Sequence, residues 1–157
     1  MTEETPTPAA RLGEIGLSNY APYLMNRIMG RYNAALRSEM TELGLTTAKM
    51  RALAVLSVME GPTIRELAVL AVTETSTLSR ALDQLQADGL IRRETDAADS
   101  RAVRVFSTDA GRAAFDQLWP HMALANERMF RGIPDDERRA FTGTLLKMLA
   151  NIRKHEI

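Results

Sequence analysis

The stretch from Thr63 to Ser107, TIRELAVLAVTETSTLSRALDQLQADGLIRRETDAADSRAVRVFS, contains two helix-like segments followed by two strand-like runs. Its first four residues, Thr-Ile-Arg-Glu, have the form of a capping box, which predicts that a short helix begins at Thr63. The second segment repeats leucine at three- and four-residue steps and ends at Asp-Gly, which predicts an amphipathic helix. The residues expected to turn inward from these two helices are Leu67, Ala68, Ala71, Leu78, Leu82 and Leu85.

A turn separates the two helices, and either Thr73 or Thr75 can act as the N-cap of the second one. Two β-prone runs follow, Leu90–Arg93 and Val103–Phe106, with a polar loop over 96–101 between them, which predicts a β-hairpin. A helix, a turn, a helix and a hairpin in this order are typical of a winged helix-turn-helix. We therefore expect a mainly α fold with a small β-hairpin wing (α+β), flanked by N- and C-terminal dimerisation helices.

Two segments precede this module. Residues 1–18 contain prolines and glycines without sustained periodicity, which favours a flexible arm. From 19 to 45 an apolar stripe recurs at helical steps until Gly44, which predicts one long first dimerisation helix.

The DNA-binding lobe itself should span 46–108. It opens with a helix that Thr46 or Thr47 can cap, and the apolar residues of this helix continue as far as Val58. Residues 109–157 should then form two C-terminal dimerisation helices.

The first of these C-terminal helices restarts at Ser107 or Thr108, and the second begins near Pro134. Pro120 lies inside the first one. We expect a kink there, because proline removes a backbone hydrogen bond and collides with the preceding turn.

The composition excludes several classes of protein. A chain of 157 residues with 45% hydrophobic and 25% charged residues is typical of a single globular domain. The absence of cysteine excludes disulfides, thiolate metal sites and cysteine nucleophiles. No apolar run approaches the roughly 18 residues of a membrane span, so we expect no membrane partner and a cytoplasmic location. Twenty Lys and Arg balance twenty Asp and Glu, so affinity for DNA must come from how charge is distributed.

The polar face of the second helix carries hydroxyl, amide and guanidinium groups, which can reach base edges and phosphates in a major groove. Arg80 is the strongest candidate, because a guanidinium can bind guanine O6 and N7 together. Arg101 at the hairpin tip suits a narrow minor groove, and Asp99 can hydrogen-bond its guanidinium and hold it extended. The full set of expected DNA contacts is Thr63, Arg65, Thr75, Ser76, Thr77, Ser79, Arg80, Gln84, Arg92, Arg93, Asp99, Arg101 and Arg104.

Three alternatives compete with DNA binding. The polar residues can be merely the solvated face of an amphipathic helix. An enzyme would need a phosphate loop, a nucleophile beside a base or a metal cluster, and the sequence has none of these at motif spacing. A winged helix used as a protein-interaction module would carry an apolar patch on its outer face, where this chain has hydroxyls, an arginine and a glutamine.

The hairpin region, Asp88–Arg93 followed by Asp96–Val105 and Thr108–Gly111, resembles the wing signature of the MarR family of winged-helix transcriptional regulators. The resemblance implies a homodimer held by the first and last two helices, a recognition helix over 75–88 and a wing arginine at Arg101. It also implies control by a small effector, often an aromatic or phenolic acid, and repression as the usual outcome.

Two residues depart from the family pattern. Ser107 stands where the family usually has leucine, and Val72-Thr73 replaces a frequent Gly-Leu in the turn between the two helices. Neither lies on the expected base-reading face, so they affect the conformation of the turn and the start of the recognition helix.

The two C-terminal helices carry more apolar surface than a small wing domain needs, so we expect them to pair between subunits. A twofold dimer would set two recognition helices roughly 34 Å apart, which predicts a pseudo-palindromic site on double-stranded DNA. The alternative is a bundle formed within one chain.

The candidate effector residues are Tyr23 and Arg27 on the first helix, and Trp119 and His121 beside Pro120. Arginine can pair with an anionic ligand, and the aromatic residues can line a pocket. Core or interface packing is the simpler interpretation of Tyr23 and Trp119, and a structural role is the simpler one for His121. With two histidines and no cysteine we expect no metal site, and we expect no cofactor.

Overall fold

The computed structural model describes residues 10–157, which divide into two compact units, one ending at Ala35 and the other running from Leu36 to Ile157. In the first unit, α1 (Leu12–Ile15) and a 3-10 turn (Leu17–Asn19) precede α2 (Ala21–Ala35). The arm expected over 1–18 therefore contains short helical turns from residue 12 onward, held by local backbone hydrogen bonds, and its flexibility stays a prediction. The rest of that prediction, over residues 1–9, lies outside the described residues.

The single helix expected over 19–45 is also wrong, because the chain leaves the helical pattern at Leu36 and α3 (Arg37–Glu42) begins after it. Leu36 keeps nearly helical dihedrals, φ −97° and ψ −5°, and is buried. A break of one residue does not disturb the apolar spacing, so periodicity could not reveal it. Gly44 ends the segment as predicted, in the left-handed region.

The second unit continues with α4 (Thr47–Leu56), and Thr46 is its N-cap, accepting the Lys49 amide at 3.3 Å. The apolar face of α4 does not extend to Val58 as expected, since the helix ends at Leu56 and Val58 is 87% exposed. The Ser57 hydroxyl donates to the Ala54 carbonyl at 2.6 Å at this helix end.

The capping box at Thr63 is confirmed and starts α5 (Ile64–Leu70), with reciprocal hydrogen bonds between Thr63 and Glu66. The second helix, α6 (Thr75–Ala87), packs against α4 and α5. Glu74, and neither Thr73 nor Thr75, is its N-cap, since its backbone is extended, at φ −61° and ψ 143°, and the helix begins at the next residue. The Thr73 hydroxyl donates to the Ala71 carbonyl at 2.9 Å. The three leucines predicted to anchor α6 are each 0% exposed: Leu78, Leu82 and Leu85.

The predicted wing is an antiparallel hairpin of β1 (Ile91–Thr95) and β2 (Val103–Ser107), paired in the register Arg93↔Val105. It is joined to the start of α5 by a bond from the Val105 amide to the Pro62 carbonyl at 2.9 Å. Glycine suits position 61 in this junction, because its backbone has φ 66° and a Cβ there would lie 2.7 Å from the Phe106 ring.

Two long helices complete the second unit. Thr108 caps α7 (Asp109–Met129), which packs against α3, α4 and β2, and α8 (Asp135–Ile152) follows Pro134. The helix α7 runs through Pro120 without interruption, and the kink there stays a prediction. The mainly α fold with a two-stranded wing is confirmed. Across residues 10–157, no helix combines the length and apolarity needed to cross a membrane.

Burial of the α6 leucines predicts that truncating one of them destabilises the fold. Leu82→Ala should lower the free energy of unfolding by about 2–5 kcal/mol, because it removes buried methyl groups and leaves a cavity. Val58→Ala is the matched control and should change it by less than about 0.5 kcal/mol. Urea unfolding measures both, and equal effects of the two changes would contradict the placement of α6.

Candidate nucleic-acid interface

The outward side of α6 carries the polar residues expected to read bases. Ser76, Arg80 and Gln84 are exposed and follow one another at four-residue steps, so they share one stripe of the helix. Thr75 and Thr77 are also exposed, while Ser79 is half-buried. The burial of the three leucines on the other side fixes which stripe faces solvent.

Two of the predicted arginines are available to an external anion. Arg80 on α6 and Arg65 on α5 are both exposed, and neither forms an ion pair with any residue between 10 and 157. A guanidinium without an internal carboxylate keeps all five donors for a phosphate or a base edge.

The wing tip presents Arg101, whose side chain is 93% exposed. The hydrogen bond expected between Asp99 and this guanidinium is replaced by a longer ion pair, with 3.6 Å between Asp99 Oδ1 and Arg101 Nε. The same Oδ1 accepts the backbone amide of Arg101 at 3.0 Å. Asp99 therefore shapes the loop and lies beside the guanidinium, which stays exposed to solvent.

The buried carboxylate of Asp96 organises the wing loop, a role that the sequence did not single out. Its Oδ1 accepts the backbone amides of Ala98 at 2.7 Å and Asp99 at 2.9 Å, and its Oδ2 accepts the Nε of Arg104. These hydrogen bonds, led by those from Asp99 and Ala98, lower the pKa of Asp96. An aspartate bonding amides two and three residues ahead is a turn signal that could have identified it.

Arg104, predicted as a DNA contact, has its guanidinium engaged inside the protein. Besides Asp96, it donates from Nη1 to the Gly61 carbonyl at 2.6 Å, which joins β2 to the segment before α5. Thr63 is similarly occupied, since its hydroxyl closes the capping box with Glu66. The geometry gives both residues a structural part in holding the wing.

Arg93 and Arg92 also contact their neighbours. Arg93 bonds Asp83 Oδ1 at 2.8 Å and Gln86 Oε1 at 2.5 Å, which fastens β1 to α6. Arg92 lies over the Phe106 ring, 4.2 Å from its centroid, and pairs with Glu94. Of the arginines expected to bind DNA, these two and Arg104 stabilise the arrangement of wing and helix, while Arg65, Arg80 and Arg101 extend outward.

The turn between α5 and α6 contains a strained residue. Val72 has φ 49°, in the left-handed region, which costs an L-residue roughly 1–2 kcal/mol and suits glycine. Its side chain is 76% exposed, so burial does not offset the strain. Arg51 on α4 donates from Nη1 to the Val72 carbonyl at 3.1 Å.

The four predicted effector residues make three local contacts, one in the first unit and two in the second. In the first unit, Arg27 Nη1 donates to the Tyr23 hydroxyl at 3.3 Å. In the second unit, Trp119 is exposed beside Phe115, with ring centroids 6.2 Å apart, and His121 Nδ1 lies 3.5 Å from Glu39 Oε1. Their role in binding an effector stays a prediction.

A cavity of about 680 Å³ opens at the base of the wing. Its apolar lining includes Leu56, Val58, Met59 and Phe106, and Arg92 and Arg112 line it too. None of the four predicted effector residues lines it.

Comparison with known proteins finds relatives among transcriptional regulators. Residues 43–102 match the model of the MarR family. The chain is 66% identical to a MarR family transcriptional regulator from Silicibacter pomeroyi, whose crystal structure covers 94% of this chain and 100% of its own at a TM-score of 0.90.

Two structures with named small molecules are 25% identical to the chain. CouR from Rhodococcus jostii, solved bound to p-coumaroyl-CoA, has a TM-score of 0.74 and covers 85% of this chain and 94% of its own. Bordetella bronchiseptica BpsR, described as regulated in DNA binding by 6-hydroxynicotinic acid, has a TM-score of 0.70 and covers 82% of this chain and 97% of its own. The chain spans 52% and 64% of the lengths of the first two curated relatives that it matches, both HTH-type transcriptional regulators.

The lowered pKa of Asp96 predicts that the stability of the protein depends on pH through this carboxylate. Its pKa is lowered by folding, so its contribution to stability is complete above the unfolded value of about 3.9 and disappears as pH falls through the folded pKa. Asp96→Asn should therefore lower the free energy of unfolding at pH 7, and the difference from the unchanged protein should shrink below about pH 4. Urea unfolding at several pH values measures this.

The control for this experiment is Asp116→Asn, which removes an exposed carboxylate of α7. Its unfolding should follow that of the unchanged protein at each pH. Equal stability of Asp96→Asn and the unchanged protein at pH 7 would contradict the structural role of Asp96.

Proposed function

Because the chain belongs to the MarR family of transcriptional regulators, we propose that it binds a pseudo-palindromic site on double-stranded DNA as a homodimer. Like its relatives, it is a DNA-binding regulator of transcription and not an enzyme. The finer features of the proposal are the residues that read DNA, the dimer, the effector and the direction of control.

The observation that carries the proposal is the two-sided character of α6. Its leucine side is fully buried, and its outward stripe of Ser76, Arg80 and Gln84 is polar and exposed. A helix held rigidly on one side and carrying short polar groups on the other fits a major groove. A protein-interaction module without ligand control is the alternative, but it would favour apolar residues on the outward stripe.

The wing supports a second contact with the duplex. Arg101 extends from a loop that Asp96 and Asp99 hold by hydrogen bonds to its backbone, so the guanidinium is presented from an ordered support. Such an arginine suits the negative potential of a narrow minor groove. Arg65, exposed at the start of α5, is proposed to contact phosphate.

Exposed apolar residues on the C-terminal helices support a homodimer. No residue of α8 is buried, four of its large apolar side chains are exposed, and Trp119 and Leu124 of α7 are exposed too. Apolar surface of this extent is typical of an interface. A twofold arrangement would set two copies of α6 about one turn of duplex apart, roughly 34 Å. The exposed apolar side chains of α8 are Phe141, Leu146, Leu149 and Ile152.

An aromatic or phenolic effector, with an anionic group, is proposed to release the protein from DNA and so relieve repression. Two relatives at 25% identity support this class, since one was solved with p-coumaroyl-CoA and the other is described as regulated by 6-hydroxynicotinic acid. Arg27 supplies a cation next to the Tyr23 ring, which suits such a ligand. A coupling of about 1–3 kcal/mol between ligand and DNA suffices for a switch of 5- to 150-fold.

DNA binding is tested by mobility shift on the protein's own promoter region. Arg80→Ala should weaken sequence-specific binding by about 1–3 kcal/mol, because a bidentate contact to guanine is lost. Arg101→Ala should weaken binding through the minor groove. Arg131→Ala, which removes an exposed arginine between α7 and α8, is the matched control and should bind like the unchanged protein.

Unchanged affinity of both Arg80→Ala and Arg101→Ala would contradict the proposed contacts. No sequence-specific shift with the unchanged protein would contradict the regulator itself.

The effector is tested by thermal shift with 6-hydroxynicotinic acid and other aromatic carboxylates. A ligand at 100 times its Kd should stabilise the protein by about 2.7 kcal/mol, and Arg27→Ala should reduce that gain. The same compound should release the protein from its DNA. Stabilisation by none of the compounds, or equal stabilisation of Arg27→Ala, would contradict the proposed ligand site.

A further inference from the structure

Three helices of the second unit end in the same hydrogen-bonded motif, but one of them uses a different residue in it. At the ends of α3 and α6 the left-handed position is occupied by Gly44 and Gly89. In both, the amide of the glycine and the amide of the residue after it donate to carbonyls of the last helical turn. In α6, for example, the Leu90 amide donates to the Leu85 carbonyl at 2.9 Å. At the end of α5 the same position is occupied by Val72.

The α5 motif has the same hydrogen bonds in spite of its valine. The Val72 amide bonds the Val69 carbonyl at 3.2 Å, and the Thr73 amide bonds the Ala68 carbonyl at 3.1 Å. A β-branched residue is a rare occupant of the left-handed region, where its Cβ crowds the backbone. A strained residue persists when its surroundings hold it in place.

The element that holds this turn from outside is the guanidinium of Arg51. It comes from α4, 21 positions earlier in the chain, and donates to the Val72 carbonyl at 3.1 Å. The other side-chain bond of the turn, from Thr73 to the Ala71 carbonyl, is local. Arg51 therefore links the turn to a helix of the core.

We propose that Arg51 is a positioning residue for DNA recognition, which holds the strained turn at Val72 and thereby sets where α6 begins. The inference rests on the proposed function, because its consequence is read through DNA. Val72 lies three positions before Thr75, the first residue of α6. The α6 N-cap, Glu74, makes no side-chain capping bond, so the start of the helix depends on the turn.

Relaxation of the turn would shift the first residues of α6 while the leucines keep the rest of the helix in place. Thr75, Ser76 and Thr77 would then lie differently from Arg80, one turn further on. Discrimination between base sequences should suffer more than general attraction to DNA, because base contacts require exact placement and phosphate contacts tolerate displacement.

The first test is a double-mutant cycle without DNA, with thermal unfolding as the measurement. Val72→Gly should raise Tm by about 2–4 °C, because glycine adopts the left-handed backbone without strain. Arg51→Met keeps an apolar stem but loses the donor, and it should lower Tm. In the Val72→Gly background the same change should lower Tm by less than about half as much, since the two residues act on one turn.

The second test measures the ratio of affinities for the promoter site and a scrambled duplex, at a temperature where circular dichroism shows every variant folded. Arg51→Met should reduce this ratio by about fivefold or more, and Arg51→Lys, which retains a donor, should restore part of it. The loss should be nearly absent in the Val72→Gly background. The salt dependence of binding should stay unchanged, whereas loss of a direct phosphate contact would lower the slope by about 1.

The outcomes separate this inference from the proposed function. If the unchanged protein does not distinguish the two duplexes, the proposed function fails, and the Tm cycle still decides whether Arg51 and Val72 are coupled. If it does distinguish them and Arg51→Met does so equally well, only the inference is overturned. The inference would also be overturned if Arg51→Met reduced the affinity ratio by the same factor in the Val72→Gly background. A smaller salt dependence of DNA binding in Arg51→Met would overturn it as well.

Discussion

The second unit depends on the burial of one side of α6. Leu78, Leu82 and Leu85 are fully buried where this helix packs against α4, α5 and β1. Burying a leucine side chain contributes about 1.5–3 kcal/mol, so the three together resist rotation of the helix. Since side chains follow a 3.6-residue period, fixing the leucines also fixes the direction of Ser76, Arg80 and Gln84. Packing in the core thus determines which groups can meet DNA.

Some arginines of the DNA-binding unit pair with acidic residues of the same chain, and others are exposed without a strong partner among residues 10–157. This division explains how a chain with no net charge can bind DNA. Asp96, which is buried, pairs with Arg104, and Asp83, which is exposed, pairs with Arg93, so arginines of the same chain balance both negative charges. These pairs join the wing to α6 and to the segment before α5. Arg65, Arg80 and Arg101 lie outside this support and can create a local positive surface.

Much of the fold could be predicted because its signals are local. A capping box at Thr63 and a glycine at 89 are visible as short patterns, and both form as expected. The break at Leu36 was invisible, because one irregular residue leaves the apolar spacing intact. The sequence also gave no reason to choose Glu74 as the N-cap, since the preceding turn decides which backbone position is free.

The candidate site was harder to predict than the fold, because some arginines of the wing are exposed and others form hydrogen bonds within the protein. Arg101 and Arg104 are three residues apart and look equivalent in the sequence, yet one is exposed and the other bonds Asp96 and Gly61. The link from Arg51 to Val72 spans 21 positions and depends on how α4 packs beside the turn. Such contacts follow from tertiary structure, which residue spacing does not specify.

The most direct test of dimeric, sequence-specific binding is selection of DNA from a random pool by the full chain. We expect enrichment of one sequence with two inverted half-sites whose centres lie about 10 bp apart or a multiple of it, one for each α6. Recovery of a single unpaired half-site would contradict the dimer. Recovery of no preferred sequence, with binding that depends on salt alone, would contradict sequence recognition by α6 and the wing.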